Sequence, residues 1–278
     1  MDILDQIQQA YFQLTAAERK VADYVLAAGD RVQFMSITQL ATECGTADAT
    51  VSRFCRSLGL KGFNAFKIAL AKSSVSGKTP TAHEPVSASL EGRRSTVKRL
   101  AEEAISQTLE FSSQQKVNEA VKLFEQASWV MCCGSGGSMI MAEECAHLFC
   151  TVSSKFSAVT DSHRQMSALA TMREGDVLVL FSYSGATTVG LQLLEAAQAR
   201  GVRSVLVTRF GESPAAQLAD VVLCCGSNEG PFQLGSVPAK IAQLIVVDLL
   251  FQEYSHRNRE ECMKNIQQIA SALSAYHV

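Results

Sequence analysis

The chain of 278 residues has no uninterrupted apolar run of about eighteen residues, the length that a helix needs to cross a bilayer. We therefore expect no membrane partner. The N-terminal segment MDILDQIQQA carries acids and lacks the apolar core of a secretory signal, so we expect a cytoplasmic protein. The net charge is only -2, so the chain as a whole lacks the basic excess typical of nucleic-acid-binding proteins. Its length allows two domains.

Cysteine is not scarce, since there are nine, but the sequence contains no CxxC motif. Cys132 and Cys133, like Cys224 and Cys225, are adjacent residues in apolar, strand-like runs. Adjacent strand residues point to opposite faces, so such a pair does not readily share one metal ion. We expect buried free thiols, no metal site and no cofactor.

The segment DVLVLFSYSGATT, residues 176–188, gives the strongest local signal in the chain. VLVLF predicts a strand buried on both faces, and the hydroxyl-rich turn SYSG ends it. Gly185 in this turn is expected to let the backbone come close to a ligand. Two threonines then open the amphipathic helix VGLQLLEAAQAR. A helix N-terminus beside several hydroxyls is a ready site for an anion such as phosphate. A plain β-to-α turn with capping hydroxyls is the structural alternative.

Residues 1–74 are predicted to form an all-helical domain. The segments TAAE, from Thr15, and SITQ, from Ser36, have the pattern of a capping box, which starts a helix. The second box opens the short helix ITQLATE, the tight turn Cys44-Gly45-Thr46 follows, and ADATVSRFCRSL forms the next helix. The buried stripe of that helix is predicted to contain Val51, Phe54, Cys55 and Leu58.

A short helix, a turn with glycine and a second helix form the helix-turn-helix pattern, in which the second helix enters the DNA major groove. Residues 45–78 carry a net charge of +5, which leaves -7 for the rest of the chain. Binding to the phosphate backbone needs such an asymmetry, although a small helical bundle with a basic face has it too. The predicted DNA-binding residues are Thr46, Asp48, Thr50, Ser52, Arg53, Arg56 and Lys61.

A stretch rich in Ser, Thr and Pro, SSVSGKTPTAHEPVSASL, follows these helices and predicts a linker. We place this linker at residues 75–92 and the second domain at residues 93–278. In the second domain, two helical patterns precede a regular alternation of strand and helix signals. Repeated βα units with apolar strands predict an α/β domain with a parallel five-stranded sheet covered by helices on both faces. Ligands of such sheets bind at the carboxyl ends of the strands.

A second glycine-rich loop, GSGGS at residues 134–138, also joins a strand to a helix. It lacks the dinucleotide fingerprint, because the last glycine of that pattern would fall on Met139, and a pyrophosphate cofactor is therefore disfavoured. Two hydroxyl-bearing loops on alternate strands of one sheet can, however, meet around a single phosphate.

The loops GSGGS and SYSGAT together resemble the two loops of the sugar isomerase (SIS) fold, which binds phosphosugars. The N-terminal segments LTAAERKVADYVL, SITQLA and ATVSRFCRSLGLKGFNAFKIALA resemble the helix-turn-helix of the RpiR family of bacterial sugar-responsive regulators, and GSVPAKIAQL near the end also fits. The order of helix-turn-helix, linker and SIS domain is the order in that family, and the resemblance covers nearly the whole chain.

The resemblance implies a transcription factor, usually a repressor, that senses a sugar phosphate. It also implies a phosphate site in which Ser138, Ser182, Ser184 and Thr187 supply hydroxyls and Gly136 and Gly137 allow close backbone approach. Ala186 departs from the family, whose loops often carry Glu at this point. Three further candidate ligand residues are Tyr183 in the same loop, Glu229 after the fifth strand and Lys240 near the start of the next helix.

Other readings of the same residues remain open at the level of sequence. Ser182 and Ser184 lack the G-x-S-x-G elbow of a serine nucleophile. Glu143 and His147, four residues apart on a helix, suit acid–base chemistry or a surface contact. The C-terminal segment REECMKNIQQIASALSAY carries an apolar stripe that suits either a subunit interface or core packing.

The sequence therefore predicts a DNA-binding transcriptional regulator of sugar metabolism genes that responds to a sugar-phosphate effector and is not an enzyme. A phosphosugar isomerase or lyase that uses the same pocket is the alternative. We expect operator DNA as a partner, and a homodimer or homotetramer, because paired helix-turn-helix domains read two half-sites.

Overall fold

The computed structural model describes residues 3–76, 89–227 and 236–274. The chain divides near Leu100 into two compact units. Most of the predicted linker, residues 77–88, lies outside the described residues. None of the described helices is both long and apolar enough to cross a membrane.

The N-terminal unit is all-helical, as predicted. Short 3-10 turns at Tyr11–Gln13 and Gly29–Phe34 connect its helices. Its core contains Val21, Leu40 and Phe54, each with no exposed surface. The helices are α1 (Ile3–Ala10), α2 (Ala16–Ala28), α3 (Ile37–Glu43), α4 (Asp48–Ser57) and α5 (Phe63–Ser76).

Both predicted capping boxes are confirmed. The side chain of Thr15 accepts a hydrogen bond from the backbone N–H of Glu18, whose carboxylate accepts from the backbone N–H of Thr15. Ser36 and Gln39 make the same reciprocal pair at the start of α3. Because each box satisfies N–H groups that the helix leaves unpaired, the two helix starts are fixed locally.

Glu18 also joins two helices. Its second carboxylate oxygen accepts from the hydroxyl of Ser57, at the end of α4, over 2.9 Å. The side chain is buried, with 6% of its surface exposed. Hydrogen bonds to the carboxylate, the largest from the Thr15 side chain, lower the pKa of Glu18 below its usual value.

We predict that Glu18→Ala lowers the free energy of unfolding by about 1–3 kcal/mol at pH 7, because hydrogen bonds to a charged group are lost. A lowered pKa in the folded state stabilises the fold above the unfolded-state pKa, and this contribution is lost as the pH falls through the folded-state value. The difference between wild type and variant should therefore shrink in urea unfolding below about pH 4. Exposed Glu195→Gln is the control and should change little at either pH. A pH-independent difference for Glu18→Ala would show that the charge of Glu18 does not matter.

The C-terminal unit is an α/β domain, and its strands and helices agree with the predicted alternation. The helix α6 begins at Leu90, inside the predicted linker of residues 75–92, and it spans the division near Leu100. The elements are α6 (Leu90–Phe111), α7 (Gln114–Gln126), β1 (Val130–Gly134), α8 (Gly137–Cys150), β2 (Phe156–Ala158), α9 (Ser162–Leu169), β3 (Val177–Phe181), α10 (Thr188–Ala199), β4 (Arg203–Thr208), α11 (Pro214–Leu218), β5 (Val221–Cys224), α12 (Val237–Arg257) and α13 (Arg259–Leu273).

The five strands form one parallel sheet in the order β2-β1-β3-β4-β5. One face packs on α7, α8 and α12 through a cluster that includes Phe124, Phe149 and Val246. The other face packs on α9, α10 and α11 through a cluster that includes Leu169 and Leu194. The predicted fold class, a parallel sheet with helices on both faces, is confirmed.

Strand alternation places the adjacent cysteines as predicted. Cys132 belongs to the first of these clusters and Cys133 to the second, so they lie on opposite faces of β1. All nine cysteines lie within the described residues and none forms a disulfide, and burial raises the pKa of the Cys133 thiol to about 12. The Cys133 thiol is accordingly a poor nucleophile and a poor metal ligand in the folded state. Cys150, by contrast, is exposed.

The apolar stripe of the C-terminal helix α13, for which core packing was one of the two predicted roles, is only partly buried. Cys262 is buried, whereas Ile266 and Leu273 are 41% and 48% exposed. Ile269 is half-buried, and the Asn265 side chain donates to the Val152 carbonyl over 2.7 Å, so the stripe is buried at its start and only partly covered beyond it.

The strand order positions the ligand end of the sheet. β1 and β3 are neighbours, but the helices that follow them, α8 and α10, pack on opposite faces. Where neighbouring strands feed opposite faces, their loops diverge and leave a crevice at the carboxyl ends. GSGGS follows β1 and SYSGAT follows β3, so both predicted loops border this crevice.

Candidate DNA-binding and ligand-binding sites

The helix-turn-helix has the predicted elements. Gly45 adopts φ +59°, a left-handed conformation that favours glycine, and the backbone N–H of Thr46 donates to the Ala41 carbonyl. The Asp48 carboxylate accepts a 2.8 Å hydrogen bond from the hydroxyl of Thr38 on α3. Asp48 thus fixes α4 against α3, a structural role that the sequence did not reveal.

The predicted DNA-binding residues divide by exposure. Arg53, Arg56 and Lys61 are exposed, and Thr46 and Ser52 are half-buried. Thr50 was expected off the buried stripe, and this placement is wrong: 6% of its surface is exposed, and its hydroxyl accepts from the Arg53 guanidinium over 3.3 Å.

We predict that Arg53→Ala weakens binding to operator DNA by about 1–3 kcal/mol if the guanidinium reads a base, with a smaller loss on random DNA. Fluorescence anisotropy at fixed salt measures both affinities. Lys20→Ala, an exposed cation of α2, is the matched control for lost charge. An equal loss on both DNAs would make Arg53 a phosphate contact instead.

We call GSGGS (residues 134–138) loop 1, and its backbone is tightly constrained. A Cβ on Gly134 would lie 2.7 Å from the carbonyl of Ser138, so the first turn of α8 needs glycine there. Gly136 adopts φ +57° and occupies the N-cap position of α8, where no side chain makes a capping bond. Gly137 and Ser138 form the first turn, and both are half-buried. The backbone N–H groups of Ser138 and Met139 donate to the carbonyls of Ser135 and Gly136, over 3.2 and 3.1 Å. The N–H of Gly137, the first residue of α8, is therefore left for a ligand or water.

We call SYSGAT (residues 182–187) loop 2, which brings its hydroxyls together. Ser182 is buried, and its Oγ lies 3.4 Å from Oγ1 of Thr187. Thr187 is the N-cap of α10 but makes no side-chain capping bond. The hydroxyl of Ser184 accepts from the backbone N–H of Ala186 over 3.3 Å. Exposed Ala186 contributes no side-chain oxygen, which is consistent with its departure from the family pattern.

The helix starts around the sheet differ in how they are capped. Asp161 caps α9 and Ser213 caps α11 with side-chain hydrogen bonds. The two helices without a side-chain cap among these four, α8 and α10, are those that follow β1 and β3. Their dipoles and N–H groups both favour an anion in the crevice between loops 1 and 2.

Gly185 was predicted to allow a ligand to approach, but the structure gives another reason for it. The residue has φ +60°, and a Cβ there would clash with the side chain of Ser213 and lie 3.2 Å from Oγ1 of Thr208. Its carbonyl accepts from the backbone N–H of Ala215. Loop 2 is therefore packed against the start of α11, and the protein itself excludes a side chain at Gly185.

We predict that Gly185→Ala lowers the free energy of unfolding by about 2–3 kcal/mol, because backbone strain and overlap add. Gly201→Ala is the matched control, since Gly201 has φ +68° but no atom within 4 Å of the added Cβ. Urea unfolding should show a smaller loss for the control, and equal losses would mean that the contact with Ser213 is relieved without cost.

The structure adds residues that the sequence pattern did not single out. Arg209, just after β4, donates from Nε to the carbonyl of Ser227 over 2.7 Å, as does the hydroxyl of Tyr183. Ser227 has φ +144° and is buried. Tyr183, a predicted ligand residue, is thus tied to the segment after β5. No short motif marks these three residues, because they lie in the segments that follow three different strands, β3, β4 and β5.

Gln165 on α9 is the second residue that the sequence reasoning missed. Its side-chain N–H groups donate to the carbonyls of Gly134, at 3.0 Å, and Val159, at 2.8 Å. A glutamine inside an ordinary amphipathic pattern gives no sequence signal for such a contact.

Lys240 lies in the first turn of α12 and is half-buried. Asn258, just beyond α12, binds Glu125, near the end of α7, where the chain enters the amino end of β1. The start of α12 therefore points toward the carboxyl edge of the sheet, on the side of the loops. Glu229 lies outside the described residues.

Glu143 and His147 are both exposed on the outer side of α8, away from its first turn. No group of three or more potential metal-binding side chains occurs within residues 3–76, 89–227 and 236–274. The geometry therefore gives these two residues no role in the crevice.

Two family models match the chain. A helix-turn-helix domain of the rpiR family matches residues 1–77, and a SIS domain matches residues 123–252. The chain belongs to the RpiR family. The resemblance drawn from the two loops and the N-terminal segments is thereby confirmed, in the expected domain order.

Relatives of this RpiR-family chain are named HTH-type transcriptional regulators. One from Caldanaerobacter subterraneus subsp. tengcongensis is 28% identical over 278 residues, which cover 98% of this chain and 97% of the relative. YbbH of Bacillus subtilis is also 28% identical, with the same coverage. The chain is accordingly a transcriptional regulator, as predicted.

A solved structure shares the whole fold. The Vibrio vulnificus NanR protein, complexed with ManNAc-6P, superimposes with a TM-score of 0.89 at 24% identity and covers 100% of both chains. At this identity the match establishes the fold of the RpiR-family chain. The bound sugar phosphate is a property of NanR.

Proposed function

We propose that the chain is a repressor whose affinity for operator DNA is modulated by a phosphorylated sugar bound between loops 1 and 2. The observation that carries the proposal is the pair of helix starts without side-chain caps, α8 and α10, which border one crevice and have serine and threonine hydroxyls beside them. The complex of NanR with ManNAc-6P supports the same class of effector.

The phosphate group accounts for the chemistry of the crevice. A phosphate dianion accepts hydrogen bonds from the N–H groups at both helix starts and is favoured by both dipoles. Ser138, Ser182, Ser184 and Thr187 would add hydroxyl donors without fixed charge. Each charge-assisted bond is worth about 1.5–3 kcal/mol, so the phosphate supplies most of the affinity and the sugar hydroxyls supply discrimination.

The remaining predicted ligand residues suit the sugar. Tyr183 contacts the segment that leads toward Glu229, and Lys240 lies on the helix that follows it. We propose that Glu229 and Lys240 contact sugar hydroxyls or the phosphate from the side of the crevice beyond β5.

The helix-turn-helix is the part of the chain that binds operator DNA. A single recognition helix gives weak binding, so we propose a homodimer, or a homotetramer built from dimers, that reads two half-sites of an operator. If the effector lowers DNA affinity by some factor, operator DNA must lower effector affinity by the same factor.

We predict that a sugar phosphate binds far more tightly than the free sugar, and that Ser184→Ala reduces this difference in affinity. Ser184→Asp should nearly abolish binding of the phosphate, because it places like charge in loop 2. Calorimetry with a panel of hexose and N-acetylhexosamine 6-phosphates, each paired with its free sugar, measures the difference. Exposed Ser167→Ala on α9 is the matched control and should behave as wild type.

The same variants test the coupling to DNA. Both Ser184 variants should bind operator DNA normally in gel shifts but respond poorly to the sugar phosphate. Equal affinity for free and phosphorylated sugars, or a full response by Ser184→Asp, would contradict the proposed site.

A further inference from the structure

We propose that Gln165 is a positioning residue that holds loop 1 in the conformation in which it presents its N–H groups to the phosphate. This inference rests on the proposed effector site and assigns to it a residue that does not itself face the crevice.

The amide of Gln165 joins the ends of two neighbouring strands. Gly134 is the last residue of β1 and the first of loop 1, and Val159 directly follows β2. The Gln165 Nε2 atom donates to the carbonyls of both, and lies 3.5 Å from the Sδ of Met139 in the first turn of α8. One planar group thus contacts the beginning of loop 1, the helix that loop 1 opens and the adjacent strand.

The amide of Gln165 is buried although, in the part of the chain that the structure describes, only its N–H side is hydrogen-bonded. Only 1% of the Gln165 surface is exposed, and its Oε1 atom has no hydrogen-bond partner among the described residues. A buried acceptor without a partner is unfavourable, and an apolar side chain of the same size would avoid it. An apolar side chain would not, however, supply the two N–H donors of the Gln165 amide. We therefore assign the function of this residue to its two donors.

Loop 1 depends on such support more than loop 2 does. Loop 2 is fixed by backbone bonds from Ala215 to Gly185 and from Arg209 to Tyr183. For loop 1, the bonds from Ser138 to Ser135 and from Met139 to Gly136 are internal to the loop and the first turn of α8. Gly134 itself is paired with Phe181 in the ladder between β1 and β3. The bond from Gln165 adds the connection between the start of loop 1 and the end of β2.

Two substitutions separate the donors from the packing. Gln165→Met keeps the volume and removes both polar groups, whereas Gln165→Glu keeps an acceptor oxygen and removes the donors at neutral pH. Gln243→Met is the matched control: Gln243 is also buried, its Oε1 likewise lacks a partner among the described residues, and its N–H group donates only to Ala239 within α12.

The first measurement needs no ligand. Amide hydrogen exchange of residues 135–139 should be at least ten-fold faster in Gln165→Met and Gln165→Glu than in wild type, with loop 2 unchanged. Gln243→Met should leave exchange in loop 1 as in wild type. Wild-type exchange in loop 1 of either Gln165 variant, or an equal increase throughout the sheet domain, would overturn the proposal.

The second measurement is the ratio of dissociation constants for N-acetylmannosamine and N-acetylmannosamine 6-phosphate. Both Gln165 variants should reduce this ratio at least ten-fold, and Gln243→Met should not change it. An unchanged ratio in Gln165 variants that unfold at a lower temperature would reduce Gln165 to a packing residue. If wild type itself shows no preference for any phosphate of the panel, the effector site fails, while the exchange experiment still decides the role of Gln165.

Discussion

The hydrogen-bonding deficit at the start of an α-helix is the constraint on which this structure depends, and the chain meets it in two ways. In the N-terminal unit, Thr15 with Glu18 and Ser36 with Gln39 satisfy these groups reciprocally. At the crevice of the sheet domain, α8 and α10 begin without a side-chain cap. The first choice contributes stability, and the second leaves donors for a ligand at a corresponding cost to the free protein.

The parallel sheet brings the two uncapped helix starts, those of α8 and α10, to the same crevice. Because β1 and β3 are adjacent and their helices pack on opposite faces, two uncapped helix starts border the same space. Of the other helices that follow strands, α9 and α11 are capped by Asp161 and Ser213, and α12 follows β5 after a segment that lies outside the described residues. The donors are therefore concentrated at the one place where the strand order opens the sheet.

Much of this could be predicted from local sequence. The alternation of apolar strands and amphipathic helices identified the α/β class, and two capping boxes located α2 and α3. The hydroxyls of loop 2 were visible because they are adjacent in sequence. The strand order, which makes the two loops neighbours, was not predicted, because periodicity does not determine which strands pair.

What could not be predicted depends on contacts between distant segments. The pair of donors from Gln165, the role of Asp48 in holding α4 on α3 and the shared acceptor of Tyr183 and Arg209 all join residues far apart in the chain. The inward orientation of Thr50 was missed for the same reason, because a polar residue beside a buried stripe faces either way until the neighbouring helix is placed. Gly185 was noticed, but its cause lies in Ser213, a residue of the next βα unit.

The packing of Gly185 on Ser213 has a consequence for how such a regulator diverges. A loop that the protein already holds rigid pays little ordering entropy when it binds, and its geometry stays the same whichever sugar the phosphate carries. Under the proposed function, loop 2 is a rigid binding site for the phosphate group, which different sugar-phosphate effectors share. Changes of sugar preference would then accumulate in the segments beyond β5, where substitutions alter the selectivity for the sugar and leave the phosphate site of loop 2 intact.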